Sequence, residues 1–225
     1  MKGIIEMIKA AIFDLDGTLL DSMSMWESLG EDYLRTLGKE PTDGLAETVK
    51  TLTLRQSAEY FKSRYNLKLS EDDIIKALTA MIKELYLSRA ELKSGMREIL
   101  ESMYRKGVKM CVATATDKTL AEAAIERLGI GKFFVGVITC DEIGYGKSSP
   151  RIYQAALDML GSSKEQTAVL EDALYALVTA KKDGFRTVGV YDAYEKNQAE
   201  MKNEADAYIE SGDSADEAIR KIEIL

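Results

Sequence analysis

The residues with the clearest chemical potential are Asp14-Leu15-Asp16-Gly17-Thr18. Two carboxylates spaced two apart follow a short apolar run, residues 10–15, that reads as a buried strand feeding a loop. If the strand pleat persisted, residues i and i+2 would face the same way, and both carboxylates would meet at one spot. Adjacent carboxylates repel each other, so a divalent cation is their natural companion. Gly17 permits a tight turn and close backbone approach, and Thr18 is placed to bond the loop. Asp-Gly by itself is common in plain turns. The full pattern Asp-x-Asp-Gly-Thr would arise by chance in a chain of this length only on the order of a few times in a thousand.

Three other places carry compatible chemistry. Thr114 ends a second apolar run, residues 108–114. The amides that follow it, from Ala115 onward, open a helix and favour an anion. Lys147 follows Gly144 and Gly146 and precedes Pro150, which stands before another helix. Glu171 and Asp172 end a strand-like run at residues 167–170. The chain has no histidine, which excludes Ser-His-Asp and Cys-His catalysis and His-ligated zinc. Acid–base work falls to carboxylates, Lys, Tyr or Cys.

The elements that must position these residues alternate. Strand-like runs at 10–15, 108–114, 133–139, 167–170 and 187–190 are separated by helical stretches at 96–106, 120–128, 152–160 and 174–182. Gly107, Gly129 and Gly184 suit the C-terminal ends of three of these helices. The alternation predicts an α/β fold, a Rossmann-like parallel sheet with helices on both faces. Ligand sites in such sheets lie outside the carboxyl ends of the strands, where Asp14, Thr114 and Asp172 all fall. From about residue 21 to 93 strand signals vanish. Helical spacing takes over, as in Leu29, Tyr33, Leu34 and Leu37, and again in Ile74, Ile75, Leu78, Ile82 and Leu85. The expected organisation is a core of residues 1–20 and 94–225 with an all-helical inserted domain at 21–93. The acidic stretch 194–223 reads as solvated helices over the last sheet edge.

With its motifs in order, the chain resembles the haloacid-dehalogenase-like (HAD) hydrolase superfamily. Phe13-Asp14-Leu15-Asp16-Gly17-Thr18-Leu19-Leu20-Asp21-Ser22 looks like its first motif. The insertion directly afterwards is similar to the helical cap of the branch that holds phosphoglycolate phosphatases and β-phosphoglucomutases. The resemblance implies that Asp14 is the nucleophile that accepts a phosphoryl group, and Asp16 the acid–base that protonates the leaving oxygen and then activates water. Branches that cleave carbon–halogen or carbon–phosphorus bonds lack Asp at the second position, so Asp16 points to phosphate esters. Thr114, with the Ala115 amide, would hold phosphoryl oxygens. Lys147 would neutralise charge between nucleophile and phosphate. Asp14, the Asp16 carbonyl, Asp172 and, directly or through water, Glu171 would bind Mg²⁺. The chain departs from the family pattern at Ser148 and Arg151. It departs most at Ala173, where a Ser usually follows the acidic pair. Loss of such an outer contact commonly costs about ten- to a hundredfold in metal affinity or activity.

The implied activity is Mg²⁺-dependent hydrolysis of a small phosphomonoester. The alternatives are a sugar-phosphate mutase and a catalytically weak member that binds a phosphorylated ligand. The mutases resembling this chain carry His at the position of Trp26, which lowers the mutase reading. Ser22, Trp26, Arg55 and Lys62 are the cap residues proposed to meet substrate. A net charge of −8 argues against nucleic-acid or anionic-membrane partners. A monomer is expected, with a dimer as the alternative. Cys111 and Cys140 are far apart and lack ligand spacing, and Cys111 reads as a core thiol. The N-terminus, residues 1–9, shows no long uncharged apolar segment, so a cytoplasmic protein is expected.

Overall fold

The computed structural model describes residues 8–49 and 52–225. The expectation of a cytoplasmic protein rests partly on residues 1–7, which lie outside that range. Among the described residues six strands form one parallel sheet: β1 (Ala10–Phe13), β2 (Lys109–Thr114), β3 (Phe134–Thr139), β4 (Thr167–Glu171), β5 (Arg186–Val190) and β6 (Ala207–Ile209). Their order is β3-β2-β1-β4-β5-β6. All five pairings are parallel, as the strand–helix alternation predicts. Successive side chains of a strand point to opposite faces, and every residue of β1 and β4 is buried. Both faces are therefore covered, as all-parallel sheets require.

The sheet is built outward from β1. Phe13 lies opposite Val112 of β2 on one side and Leu170 of β4 on the other. The strand order reverses direction about β1 and β4, which is the switch point where doubly wound sheets hold ligands. The core helices are α5 (Met96–Arg105), α6 (Lys118–Arg127), α7 (Cys140–Ile143), α8 (Arg151–Leu160), α9 (Leu174–Lys182), α10 (Gln198–Glu204) and α11 (Ala215–Glu223), numbered after four in the insertion. Ile152, Tyr153, Ala156 and Leu160 of α8 pack with Ile12, Cys111, Ala113 and Val169 of the sheet. That spacing is one stripe of a 3.6-residue helix. Gly107, Gly129 and Gly184 all have positive φ just past the ends of α5, α6 and α9. The predicted C-terminal role is what these glycines perform.

One sequence expectation needs correction. Residues 194–223 hold α10 and α11 but also β6, which pairs with β5 through Val188–Ala207 and Val190–Ile209. Three residues between acidic neighbours offer too little alternation to be seen from the sequence.

The chain divides into two compact units, Ser22–Arg89 and the remainder. Ser22–Arg89 is helical: α1 (Met23–Thr36), α2 (Leu45–Val49), α3 (Leu54–Arg64), α4 (Glu71–Glu84) and a wider π turn at Leu85–Arg89. Its own core joins Tyr33, Leu34, Ala58, Phe61, Ile74 and Leu78. Thr53 and Gln56 form a reciprocal cap on α3, and Ser70 caps α4. Among the described residues no helix is long and apolar enough to cross a membrane.

Candidate active site

The loop after β1 does not continue the pleat. β1 ends at Phe13, and the chain folds back through bonds from the Leu19 and Leu20 amides to the Leu15 carbonyl and from Gly17 N to Leu20 O. Asp14 stays anchored, its amide bonding Leu170 O at 3.0 Å. The two carboxylates consequently go to different partners. Asp14 turns to the buried ammonium of Lys147, while Asp16 accepts a 2.6 Å bond from Thr116 Oγ1. Gly17 has φ +84°, and a Cβ there would collide with the Asp172 carboxylate. Glycine is required on both counts.

Asp14, Glu171 and Asp172 are all buried, and one ligand atom from each lies within 4.8 Å of the others. They come from the ends of β1 and β4, across the switch point. Lys147 bonds both Asp14 and Glu171, the latter at 2.7 Å. Tyr153 donates to Glu171 Oε1 at 2.8 Å from the buried face of α8. Thr18 Oγ1 donates to Asp172 Oδ1 at 2.9 Å. At the end of β2, Thr114 is buried and its Oγ1 accepts from the Thr116 amide at 3.0 Å, while Ala115 is exposed. The predicted residues therefore converge on the carboxyl edge of β1, β2 and β4. The Asp16 carboxylate is not part of the three-carboxylate cluster.

The electrostatics favour a cation. Three carboxylates face one ammonium, an excess of negative charge in a buried place. Burial alone would lower the Lys147 pKa, but the charges of Asp14 and Glu171 outweigh it and hold the ammonium above its ordinary value. Burial, with the charge of Asp14 and against that of Lys147, pushes the Glu171 carboxyl up to about 7. Burial and the charges of Asp14 and Glu171 raise Asp172 well above the usual carboxylate range. Carboxylates forced up in this way are what a divalent cation with oxygen preference relieves. The donor set thus fits Mg²⁺.

A pH dependence follows. Glu171 and Asp172 have raised pKa values in the fold, so between about 4.5 and 7 the folded chain binds more protons than the unfolded one. Stability must then fall as pH rises through that window. No histidine titrates there to mask it. Metal-free protein should melt at lower temperature at pH 7.5 than at pH 5.5, and added Mg²⁺ should raise the midpoint more at pH 7.5. A metal-free midpoint that climbs across this range contradicts the assignment.

Of the four residues proposed to contact substrate from the insertion, Arg55 pairs with Asp72 at 3.1 Å and Lys62 with Glu71 at 3.5 Å. Trp26 Nε1 donates to Tyr86 OH at 3.1 Å, and Ser22 is buried. Sequence reasoning missed Thr116 and Tyr153. A tyrosine on the buried stripe of a helix must find an acceptor, which was a usable signal for Tyr153.

A sequence profile described as haloacid dehalogenase-like hydrolase matches residues 11–190. The chain belongs to this family. It is 28% identical over 216 residues to a phosphorylated carbohydrates phosphatase of Thermotoga maritima, covering 90% of this chain and 94% of that protein. A Thermotoga maritima crystal structure described as a candidate β-phosphoglucomutase superposes with TM-score 0.81 at 25% identity, over 95% of this chain and 97% of that one. CbbY of Rhodobacter sphaeroides, solved with xylulose-(1,5)bisphosphate, gives TM-score 0.70 at 26% identity, over 90% and 94%. The hydrolase fold and enzyme class expected from the first motif hold.

Proposed function

We propose that this hydrolase is a Mg²⁺-dependent phosphatase of small phosphorylated carbohydrates. The observation that carries the reading is the buried Lys147 ammonium bonded to Asp14 and Glu171, with Asp172 close by. The cluster sets the proposed nucleophile beside a lysine and leaves negative charge for a metal. The substrate class is supported by a phosphatase relative named for phosphorylated carbohydrates and a structural relative that binds a sugar bisphosphate.

In this reading an Asp14 oxygen bonds to phosphorus as the bond to the leaving oxygen breaks. Asp16 gives its proton to that oxygen. Asp16 then takes a proton from water, whose oxygen bonds to phosphorus and frees Asp14. Thr116 holds the Asp16 carboxylate for both transfers. Thr114 Oγ1 and the Ala115 amide meet phosphoryl oxygens, and Lys147 offsets their charge. Mg²⁺, held by Asp14, the Asp16 carbonyl and Asp172 with Glu171 behind, would orient the phosphate and screen it from the nucleophile. We assign the cap role to the helical insertion from its place directly after the first motif. Both cysteines are free and buried, which suits a cytoplasmic setting.

The test is phosphate release from a panel of sugar phosphates with Mg²⁺ or with EDTA. Release with Mg²⁺ and none with EDTA is expected, and metal-independent release refutes the metal assignment. The likeness to a candidate β-phosphoglucomutase favours one rival, a phosphomutase. Given β-glucose 1-phosphate and a bisphosphate primer, a mutase yields the isomer instead of free phosphate. Trp26, packed edge-on against Tyr86, has no acid–base group to serve that transfer.

A further inference from the structure

Ala173 stands at the cap position just before α9 and has no side chain to cap the helix. The first amides of a helix have no partner inside it and need one from elsewhere. At α9 that partner comes from a distant loop. Glu195 Oε2 accepts from the Leu174 amide at 3.0 Å.

Glu195 is itself held for the task. Its amide bonds Asp192 O at 3.2 Å, and its second carboxylate oxygen accepts from Asn197 N at 2.8 Å. Asp192 is fixed in turn by Lys93 at 2.7 Å and by the Tyr194 amide at 2.9 Å. The loop thus presents a carboxylate to the positive end of a nine-residue helix, a favourable pairing.

We propose that Glu195 is a positioning residue for the metal site, supplying in trans the cap that Ala173 cannot. The inference rests on the reading of Asp14, Glu171 and Asp172 as a Mg²⁺ site. Asp172 lies two residues before Leu174, in the turn from β4 into α9. Its carboxylate takes one bond, from Thr18, among those described above. An uncapped first turn frays, and the aim of Asp172 loosens with it. Metal affinity is sensitive to this kind of support: partners that orient a ligand are commonly worth about ten- to a hundredfold. Glu195 thus supports the turn that carries Asp172, next to a position where Ala173 offers no side-chain contact.

The test reads the metal and the cap separately, by calorimetry of Mg²⁺ binding and by hydrogen exchange at the Leu174 amide. Glu195→Ala should speed Leu174 exchange and weaken Mg²⁺ binding about tenfold, with little change in melting temperature without metal. Glu195→Gln keeps an acceptor oxygen and should bind Mg²⁺ within about twofold of the parent, a much smaller change than a lost supporting contact brings. Adding Ala173→Ser to Glu195→Ala should restore Mg²⁺ affinity by capping the next amides of the same turn. If Glu195→Ala speeds exchange but binds Mg²⁺ as the parent does, the cap is local and the proposal is overturned. Equal loss in Glu195→Gln and Glu195→Ala also overturns it. A parent that binds no Mg²⁺ overturns the metal reading itself and this inference with it.

Discussion

Asp14→Asn should lose turnover by more than about 10⁴-fold, the scale on which removal of a nucleophile acts when binding groups remain. The substitution nearly preserves shape but removes a charge and a nucleophilic oxygen. Lys147 keeps Glu171 as its partner, so the ammonium is not stranded. The cluster then holds two carboxylates against one ammonium instead of three. Stability should therefore change little, and in metal-free protein at pH 7.5 the relief of repulsion should offset part of the lost ion pair. The measurement is initial-rate phosphate release beside a thermal melt. Full activity in Asp14→Asn rules out Asp14 as the nucleophile.

Lys147→Met should damage both fold and chemistry. The ammonium is 5% exposed and bridges two carboxylates that are themselves buried. Removing one partner from a buried ion pair costs about 3–5 kcal/mol because the other charge is left without compensation. Here two carboxylates lose their partner, and Glu171, already pushed up by burial, can escape part of the cost by taking up a proton. The loss should therefore be larger at pH 8 than at pH 5.5. Mg²⁺ should recover part of the stability by replacing the missing positive charge. It should not recover turnover, since loss of a fixed charge at the transferring group costs about 10²–10³-fold. Urea unfolding at both pH values, with and without Mg²⁺, reads the first effect, and assays of the refolded protein read the second. Unchanged stability in Lys147→Met would mean that the ion pairs contribute nothing.

The parallel sheet was readable because β1 to β5 are short apolar runs set between helical stretches. Residues 10–15 and 108–114 announce themselves in this way, and Gly107, Gly129 and Gly184 mark helix ends. Asp14, Thr114, Glu171 and Asp172 stand at strand ends, which share one edge in such folds, whereas Lys147 was singled out only through the resemblance of its motif to the family's. What could not be read was orientation. Asp14 and Asp16 part company because the loop after Phe13 turns back on Leu15 and Leu20, and period-two reasoning ends where the strand does. Glu195 left no trace in the sequence. Its partner, Leu174, lies 21 residues away and offers only a backbone amide, which every residue type but proline possesses. β6 escaped notice because three residues cannot show a period.

The central place of β1 has a consequence for biosynthesis. Ala10–Phe13 leaves the ribosome well before its neighbours on either side, β2 and β4. An entire helical unit, Ser22–Arg89, is made before Lys109 appears. That unit has a core of its own and local contacts that favour early collapse. Until Lys109 appears, the nascent chain carries an apolar strand without its sheet neighbours, and open strand edges invite misassociation. Only when Thr167–Glu171 has been synthesised does β1 gain its second neighbour, and only then do Asp14, Lys147 and the acidic pair exist as a group. The reactive centre therefore waits on translation of both strands that flank β1.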